Sequence, residues 1–403
     1  MTEGENDAPS RSGGRSSLPV VSADGGRTLR HLTVVTLSWA GLAHGAQLAA
    51  AGILRIVRKI QATFRLAYFT LPVAPIRTAD IPVPVSVSPT QPRARIIANL
   101  LSGGARGSHA LSELRETAQW LAEHGMPVEI CPTTYPGHAA ELASEAVRLG
   151  MDMVIAAGGD GTVNSVIQAL AGHPTALGVL PMGTMNVWAR EMNIPLNLAD
   201  ARRVLLEGSR RRVDLGRAGS RYFLMMAGIG LDAEVARRVE RSWLQRLGLK
   251  LIDYIATVGL LSITHQPARI WIRRDGKRRA INALMIIIGN TRLYAGAFEF
   301  TGRAIADDGW LDVVAIGGGG ISHRFTVFLR AVLRRKSFGP RVKYSRCHTV
   351  RLESSVPVPV QVDGEVIGTL PMTFSIAPAM LTVVVPRTVA SDLFSRPDEV
   401  AAL

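Results

Sequence analysis

Beyond Arg93 the chain alternates short apolar runs with longer amphipathic stretches. The runs at 96–101, 127–131, 153–157 and 176–180 are five or six residues long and read as buried strands. Between them, 111–124, 139–149, 163–170 and 199–207 repeat apolar residues at spacings of three and four, so each gathers one greasy face as a helix. Strand and helix in alternation imply right-handed crossovers and a parallel sheet, an α/β class. After about Arg212 the pattern shortens into strand-like segments at 222–226, 268–272, 283–288, 311–316 and 349–352, interrupted by helical stretches at 243–261 and 323–333. This predicts a second, β-rich domain.

The first 92 residues follow neither pattern. Residues 1–29 are rich in Gly, Ser, Arg and acidic residues without apolar period, a tail. Residues 32–54 contain no Asp, Glu, Lys or Arg and are long enough to cross a bilayer as a helix, but basic residues flank both ends and set no orientation. Ile53, Ile56, Val57, Ile60, Phe64, Ala67 and Tyr68 share one helical face, with Arg55, Arg58, Lys59 and Arg65 mainly on the other. Such a basic amphipathic helix suits an anionic membrane surface; packing on the protein's own core is the alternative. Six prolines in 72–92 make an extended linker. The expected organisation is a tail (1–29), a helical extension with its Pro-rich linker (30–92), an α/β domain (93–215), a β-rich domain (216–386) and a second tail (387–403).

Composition narrows the function classes. Hydrophobic residues make up 47% and charged residues 19% of the 403, which excludes global disorder and leaves chain for two or three domains. Cys131 and Cys347 alone support neither a disulfide framework nor a Cys-rich zinc site, and a reducing cytoplasm fits. The net charge of +14 suits anionic lipid or phosphorylated ligands. Single-stranded nucleic acid is excluded as a partner because the 5% of aromatic residues form no stacking stripe among the cations.

The chemistry concentrates at the strand ends. The run 153–157 leads into Gly158, Gly159, Asp160, Gly161, Thr162 and Asn164. Glycines let a ligand approach the backbone, and the freed amides of a helix start receive phosphate. Asp160 cannot attract phosphate itself; it acts through Mg²⁺, accepts a proton or caps a helix. A second junction carries Pro181, Gly183, Thr184 and Asn186, and a third carries Asn99, Ser102 and Gly103. At the carboxyl ends of parallel strands, three such turns build one crevice.

These residues resemble the nucleotide signature of the diacylglycerol kinase catalytic domain, shared by bacterial lipid kinases, sphingosine kinases and ceramide kinases. The resemblance runs from about Arg93 to Pro386, with further matches at Gly228, Gly230, Asp232, Asn290, Gly296, Asp308, Gly309, Asp312, Asp363, Gly364 and Glu365. It implies a Rossmann-like nucleotide domain followed by a β-sandwich, and ATP-dependent phosphorylation of a lipid hydroxyl without a Walker loop. It further implies that the 158–164 loop holds the nucleotide phosphates with Thr133 and Thr184 around them. Asp363 would accept the proton of the lipid hydroxyl, with Glu365 beside it. By the same analogy a structural Mg²⁺ sits at Asp308 with the backbone carbonyls of Ile305 and Trp310. From local context alone, Asp308-Gly309 and Asp363-Gly364 also read as hairpin turns. The chain departs from the family at Leu100 for the usual Pro, Ser165 for the usual Glu and Leu231 for the usual Phe.

Three functions stand against one another: a lipid kinase of the cytoplasmic membrane face, which is the favoured reading, a soluble kinase of NAD, and a nucleotide-binding membrane protein without catalysis. Phosphate loops, a candidate base, cationic surface and amphipathic helix all serve the first. Diacylglycerol is the default acceptor.

Overall fold

The structure, a computed structural model, describes residues 93–100, 107–240, 257, 260–261, 264–274, 276–294, 298–332, 339, 341–389 and 391–395. All of these lie in the unit Ala74–Leu403. The apolar run at 32–54, the amphipathic stretch at 53–68, the linker at 72–92 and most of the helix expected at 243–261 lie outside the described residues.

The first half is the expected parallel sheet. Strands β1 (Ala94–Ala98), β2 (Val128–Pro132), β3 (Met153–Gly158) and β4 (Ala176–Pro181) lie in the order β4-β3-β1-β2, all parallel. β1, β3 and β4 are buried along their whole length, which is why they read as unbroken apolar runs: helices cover both faces of a parallel sheet. Those helices are α1 (Gly107–Glu123), α2 (His138–Arg148), α3 (Asp160–Leu170), the short α4 (Val187–Glu191) and α5 (Leu198–Glu207). On α2 the buried stripe is Ala139, Ala143 and Ala146, side chains small enough for close approach to the sheet.

The second half is β-rich, and within it β10 (Leu293–Tyr294) and β11 (Phe298–Glu299) pair as a separate two-stranded ladder. β7 (Met226–Gly230) and β12 (Leu311–Gly317) pair antiparallel with the long β9 (Lys277–Gly289), and β8 (Ala268–Arg274) forms a hairpin with it. Strand β13 (Val342–Cys347) pairs with β12, β14 (Thr349–Ser354) with β8, and β15 (Pro359–Val362) with both β7 and β16 (Glu365–Thr369). β9 feeds two cores. Ile286 and Ile288 enter a cluster with Ile229, Val360 and Phe374, while Met285 and Ile287 face the larger cluster shared with the parallel sheet. Alternate side chains point to opposite faces, so a strand buried on both sides must be apolar throughout.

Two long strands escape the sequence pattern. β5 (Ser209–Ala218) and β17 (Met372–Val385) pair antiparallel, and Val383 of β17 also pairs parallel with Leu177 of β4, so one sheet runs through both halves. The register of β17 shifts between Ala377 and Leu381, and Ala379 adopts a left-handed φ of 51° there. The fully buried Asp214 holds this bulge by accepting the Ala379 N–H at 2.6 Å. The strand expected at 222–226 is divided into β6 (Arg221–Phe223) and β7. The chain turns between them because the N–H groups of Leu224, Met225 and Met226 leave the ladder and donate to Asp363.

Candidate active site

The carboxyl ends of β1 to β4 form one rim, and there the glycine turns meet. Gly158 ends β3, and a methyl in its place would sit 2.3 Å from the Thr162 hydroxyl oxygen, so only glycine lets α3 begin this tightly. Gly183 lies back to back with Gly159: a methyl on it would stand 2.4 Å from the Gly159 Cα. At Gly161, by contrast, an added methyl would meet nothing within 4 Å, so the first turn of α3 faces open space. Asn99 and Thr133 complete the rim, donating their N–H groups to the carbonyls of Ala157 at 2.9 Å and Ala98 at 2.8 Å. Thr184 lies beside Gly183 on the rim; Ser102 and Gly103 lie outside the described residues.

Two of these polar side chains serve the scaffold. Asn186, in a left-handed conformation, accepts the Gly183 N–H at 2.9 Å and donates to the Gly183 carbonyl at 2.7 Å, closing its own loop. Asp160 accepts the Trp188 N–H at 3.3 Å, at the start of α4. Burial raises its pKa, and the amides at the start of α4 oppose that rise.

Across the rim stands the Asp363-Gly364 turn between β15 and β16, with both residues left-handed as a tight hairpin requires. Asn164 of α3 donates to Asp363 Oδ2 at 2.9 Å, and the Leu224 N–H reaches the same oxygen at 2.8 Å. Oδ1 accepts the N–H groups of Met225 at 3.0 Å and Met226 at 2.9 Å. A carboxylate offers about four acceptor directions, and here all are filled. Desolvation raises the pKa of Asp363, and these donors pull it back. The carboxylate of Asp363 therefore ties α3, the β6–β7 bend and the turn together. Glu365, two residues on, is exposed and pairs with Arg221 at 2.6 Å, which also donates to Asn164 Oδ1 at 3.1 Å.

The metal expectation also changes. Asp308 Oδ1 accepts the Trp310 N–H at 3.0 Å, and Oδ2 is paired with the guanidinium of Arg346. That guanidinium lies over the Trp310 ring and comes within 3.6 Å of Asp312 Oδ1. Asp312 is fully buried, with one oxygen receiving the Tyr344 hydroxyl and the other without a hydrogen-bond partner, and desolvation raises its pKa. No three His, Cys, Asp or Glu side chains among the described residues gather as a metal site. A divalent ion at Ile305, Asp308 and Trp310 would have to expel Arg346, so the donor set does not fit it.

Gln168, Glu191 and Gln361 had no motif to announce them. Gln168, one turn after Asn164 on α3, donates to the Tyr222 carbonyl at 2.9 Å and accepts its N–H at 3.0 Å. Asn164 and Gln168 thus bind β6 where the family's Glu is missing; Ser165 turns back to the Gly161 carbonyl of its own helix. The only available signal was the i, i+4 spacing of two amides on one helix face. Glu191 at the end of α4 accepts the N–H groups of Arg292 and Leu293, and burial pushes its carboxyl up to about 7. Asp232 accepts from the Tyr294 hydroxyl and from Gln361 at 2.6 Å, and Gln361 holds the Gly364 N–H at 2.7 Å. Desolvation raises the Asp232 pKa.

A glycine-lined rim at the ends of parallel strands, faced by a carboxylate-bearing hairpin of a β-rich half, places the chain among two-part α/β proteins. Residues 93–218 match the diacylglycerol kinase catalytic domain, and residues 225–385 match the YegS C-terminal NAD kinase beta sandwich-like domain. A diacylglycerol kinase of Staphylococcus saprophyticus is 30% identical over 70% of this chain and 92% of its own length. One from Staphylococcus carnosus is 29% identical over 74% of this chain and 96% of its own. A crystal structure of a diacylglycerol kinase from Bacillus anthracis shares the fold, with a TM-score of 0.58 and 20% identity over 75% of this chain and 100% of that one. The chain belongs to the diacylglycerol kinase family.

Proposed function

We propose that this protein is an ATP-dependent lipid kinase, transferring the γ-phosphoryl group to a hydroxyl of diacylglycerol or a related lipid at the cytoplasmic membrane face. The observation that carries the reading is the Asn164–Asp363 hydrogen bond of 2.9 Å, which joins the phosphate-loop helix to the Asp-Gly-Glu turn. Family membership and the net charge of +14 support it as well.

On this reading residues 93–215 carry the nucleotide and 216–386 the lipid. The triphosphate lies over Gly158, Gly159, Gly161, Thr162 and Gly183, with Asn99, Thr133 and Thr184 around it, and Mg²⁺ enters with ATP as part of the substrate. The lipid hydroxyl oxygen attacks the γ-phosphorus, the bond to the bridging oxygen breaks, and ADP leaves. Glu365 takes the hydroxyl proton, held in place by Arg221. Such a transfer asks for alignment and charge neutralisation more than for covalent help.

Incubating the full chain with γ-labelled ATP and either dispersed diacylglycerol or NAD tests the assignment. Label in phosphatidic acid is the expected result. Label in NAD would make it a soluble nucleotide kinase, and label in neither would leave a nucleotide-binding protein.

A further inference from the structure

The β8–β9 hairpin has two chemically different faces. Its cross-strand partners include Arg273 with Arg278, Arg274 with Lys277, and Ile272 with Arg279. On one face, Arg273 and Arg278 meet Glu353 at 3.5 and 3.6 Å, and Arg351 meets it at 3.0 Å, so that cluster carries its own carboxylate. The other face turns into a pocket of about 350 Å³. Lys277 and Arg279 line it from the hairpin, and Lys343 joins them from β13. None of these three forms an ion pair among the described residues, and no Asp or Glu is among the described lining residues.

Arg274, whose guanidinium donates to the Arg346 carbonyl at 3.2 Å, adds a further cation, Tyr344 and Ser345 add hydroxyls, and the remaining wall is apolar. Ile272, Ile281, Val313 and Val350 carry the interior of the β-rich core out to this opening. No lining residue belongs to α3, β7, β15 or β16, so the pocket is separate from the rim that holds Asn164 and Asp363.

We infer that this pocket is a second binding site, for an anionic phospholipid of the membrane. A cavity of this volume is of the size that takes small ligands. An apolar wall open to water gains by covering itself with hydrocarbon, and clustered cations at its mouth gain by meeting a phosphate. A free phosphate satisfies only the cations, and an uncharged lipid only the wall. One acyl chain beneath an acidic headgroup satisfies both. The site anchors the β-rich half to an acidic bilayer without taking part in phosphoryl transfer.

Calorimetric titration of the full chain, without nucleotide, with monomeric dihexanoyl phosphatidylglycerol tests this. Dihexanoyl phosphatidylcholine and inorganic phosphate serve as the comparison ligands. Saturable binding of one equivalent is expected, weaker by about tenfold or more for phosphatidylcholine and phosphate. The paired change Lys277→Gln with Lys343→Gln removes charge, and Ile281→Trp fills the mouth; each is expected to weaken phosphatidylglycerol by about tenfold. Melting curves matching wild type keep the variants interpretable, and since either change suffices, one misfolded variant leaves the other decisive. Equal binding of phosphatidylcholine would reduce the site to an apolar one, and competition by phosphate alone to an anion site. Undiminished binding in the folded variants would place the lipid elsewhere. Each of these overturns the inference, whatever the kinase assay returns.

Discussion

Asn164 and Asp363, 199 positions apart in sequence, share a 2.9 Å hydrogen bond that couples the first turns of α3 to the β15–β16 hairpin. The same carboxylate gathers three consecutive backbone N–H groups from the bend between β6 and β7. One side chain therefore closes the helix, the bend and the hairpin against one another. The exposed acid of the motif is Glu365, two residues on, in an ion pair with Arg221.

This division of labour separates two variants. Asp363→Asn places an amide N–H against a ring of donors and leaves at least one of them unpaired, so unfolding free energy should fall by about 2–4 kcal/mol, with turnover lost as well. Glu365→Gln should fold like wild type and lose about 10²–10⁴ in kcat. Urea denaturation beside steady-state kinetics checks both; a stable, inactive Asp363→Asn with an active Glu365→Gln would return the proton to Asp363.

The two loop glycines should behave in opposite ways. Gly183→Ala drives a methyl to 2.4 Å from the Gly159 backbone, and relief of that overlap should cost about 1–3 kcal/mol of stability. Gly161→Ala meets open space inside a helix and should raise stability by about 0.5–1 kcal/mol. Its methyl occupies the proposed phosphate position, so ATP affinity should drop. Thermal melting with and without ATP distinguishes the pair.

Glu191 makes stability depend on pH. Its folded pKa is raised from 4.5 to about 7, so the folded state binds the proton more tightly than the unfolded chain does. That contribution is complete below about 4.5 and is lost as pH climbs through about 7. Glu191→Gln cannot ionise; it keeps one of the two oxygens that accept the Arg292 and Leu293 N–H groups, so its stability is lower at acid pH. The variant should flatten the decline in stability over this window, amounting to a few kcal/mol at pH 8. Parallel pH–denaturation curves that remain superimposable would count against the buried carboxyl as its source.

Arg346 stands where a structural cation was expected. Wild-type melting should be unchanged by a chelator, because the guanidinium already neutralises Asp308. Arg346→Ala leaves Asp308 and Asp312 without their cation and should cost about 1–3 kcal/mol. Millimolar Mg²⁺ should restore part of that loss in the variant and none in wild type, as read by melting temperature. A chelator-sensitive wild type would show that the ion displaces the arginine.

The α/β alternation, the buried strands β1, β3 and β4 and the glycine turns at their ends were legible because each is local: a strand covered on both faces must be apolar, and a turn that admits phosphate must lack side chains. Even the Asp-Gly-Glu turn announced itself. Which of its two carboxylates holds the backbone and which is exposed did not, since that depends on where the amides of Leu224 to Met226 point. β17 was hidden by the bulge at Ala379, and Arg346 gave no sign of meeting Asp308, 38 positions earlier. Periodicity records what a residue needs from its near neighbours along the chain. Hydrogen-bond saturation and charge pairing are settled by groups that only the folded sheet brings within reach, and so only the tertiary structure shows which groups Asp160, Asp363 and Asp308 bond.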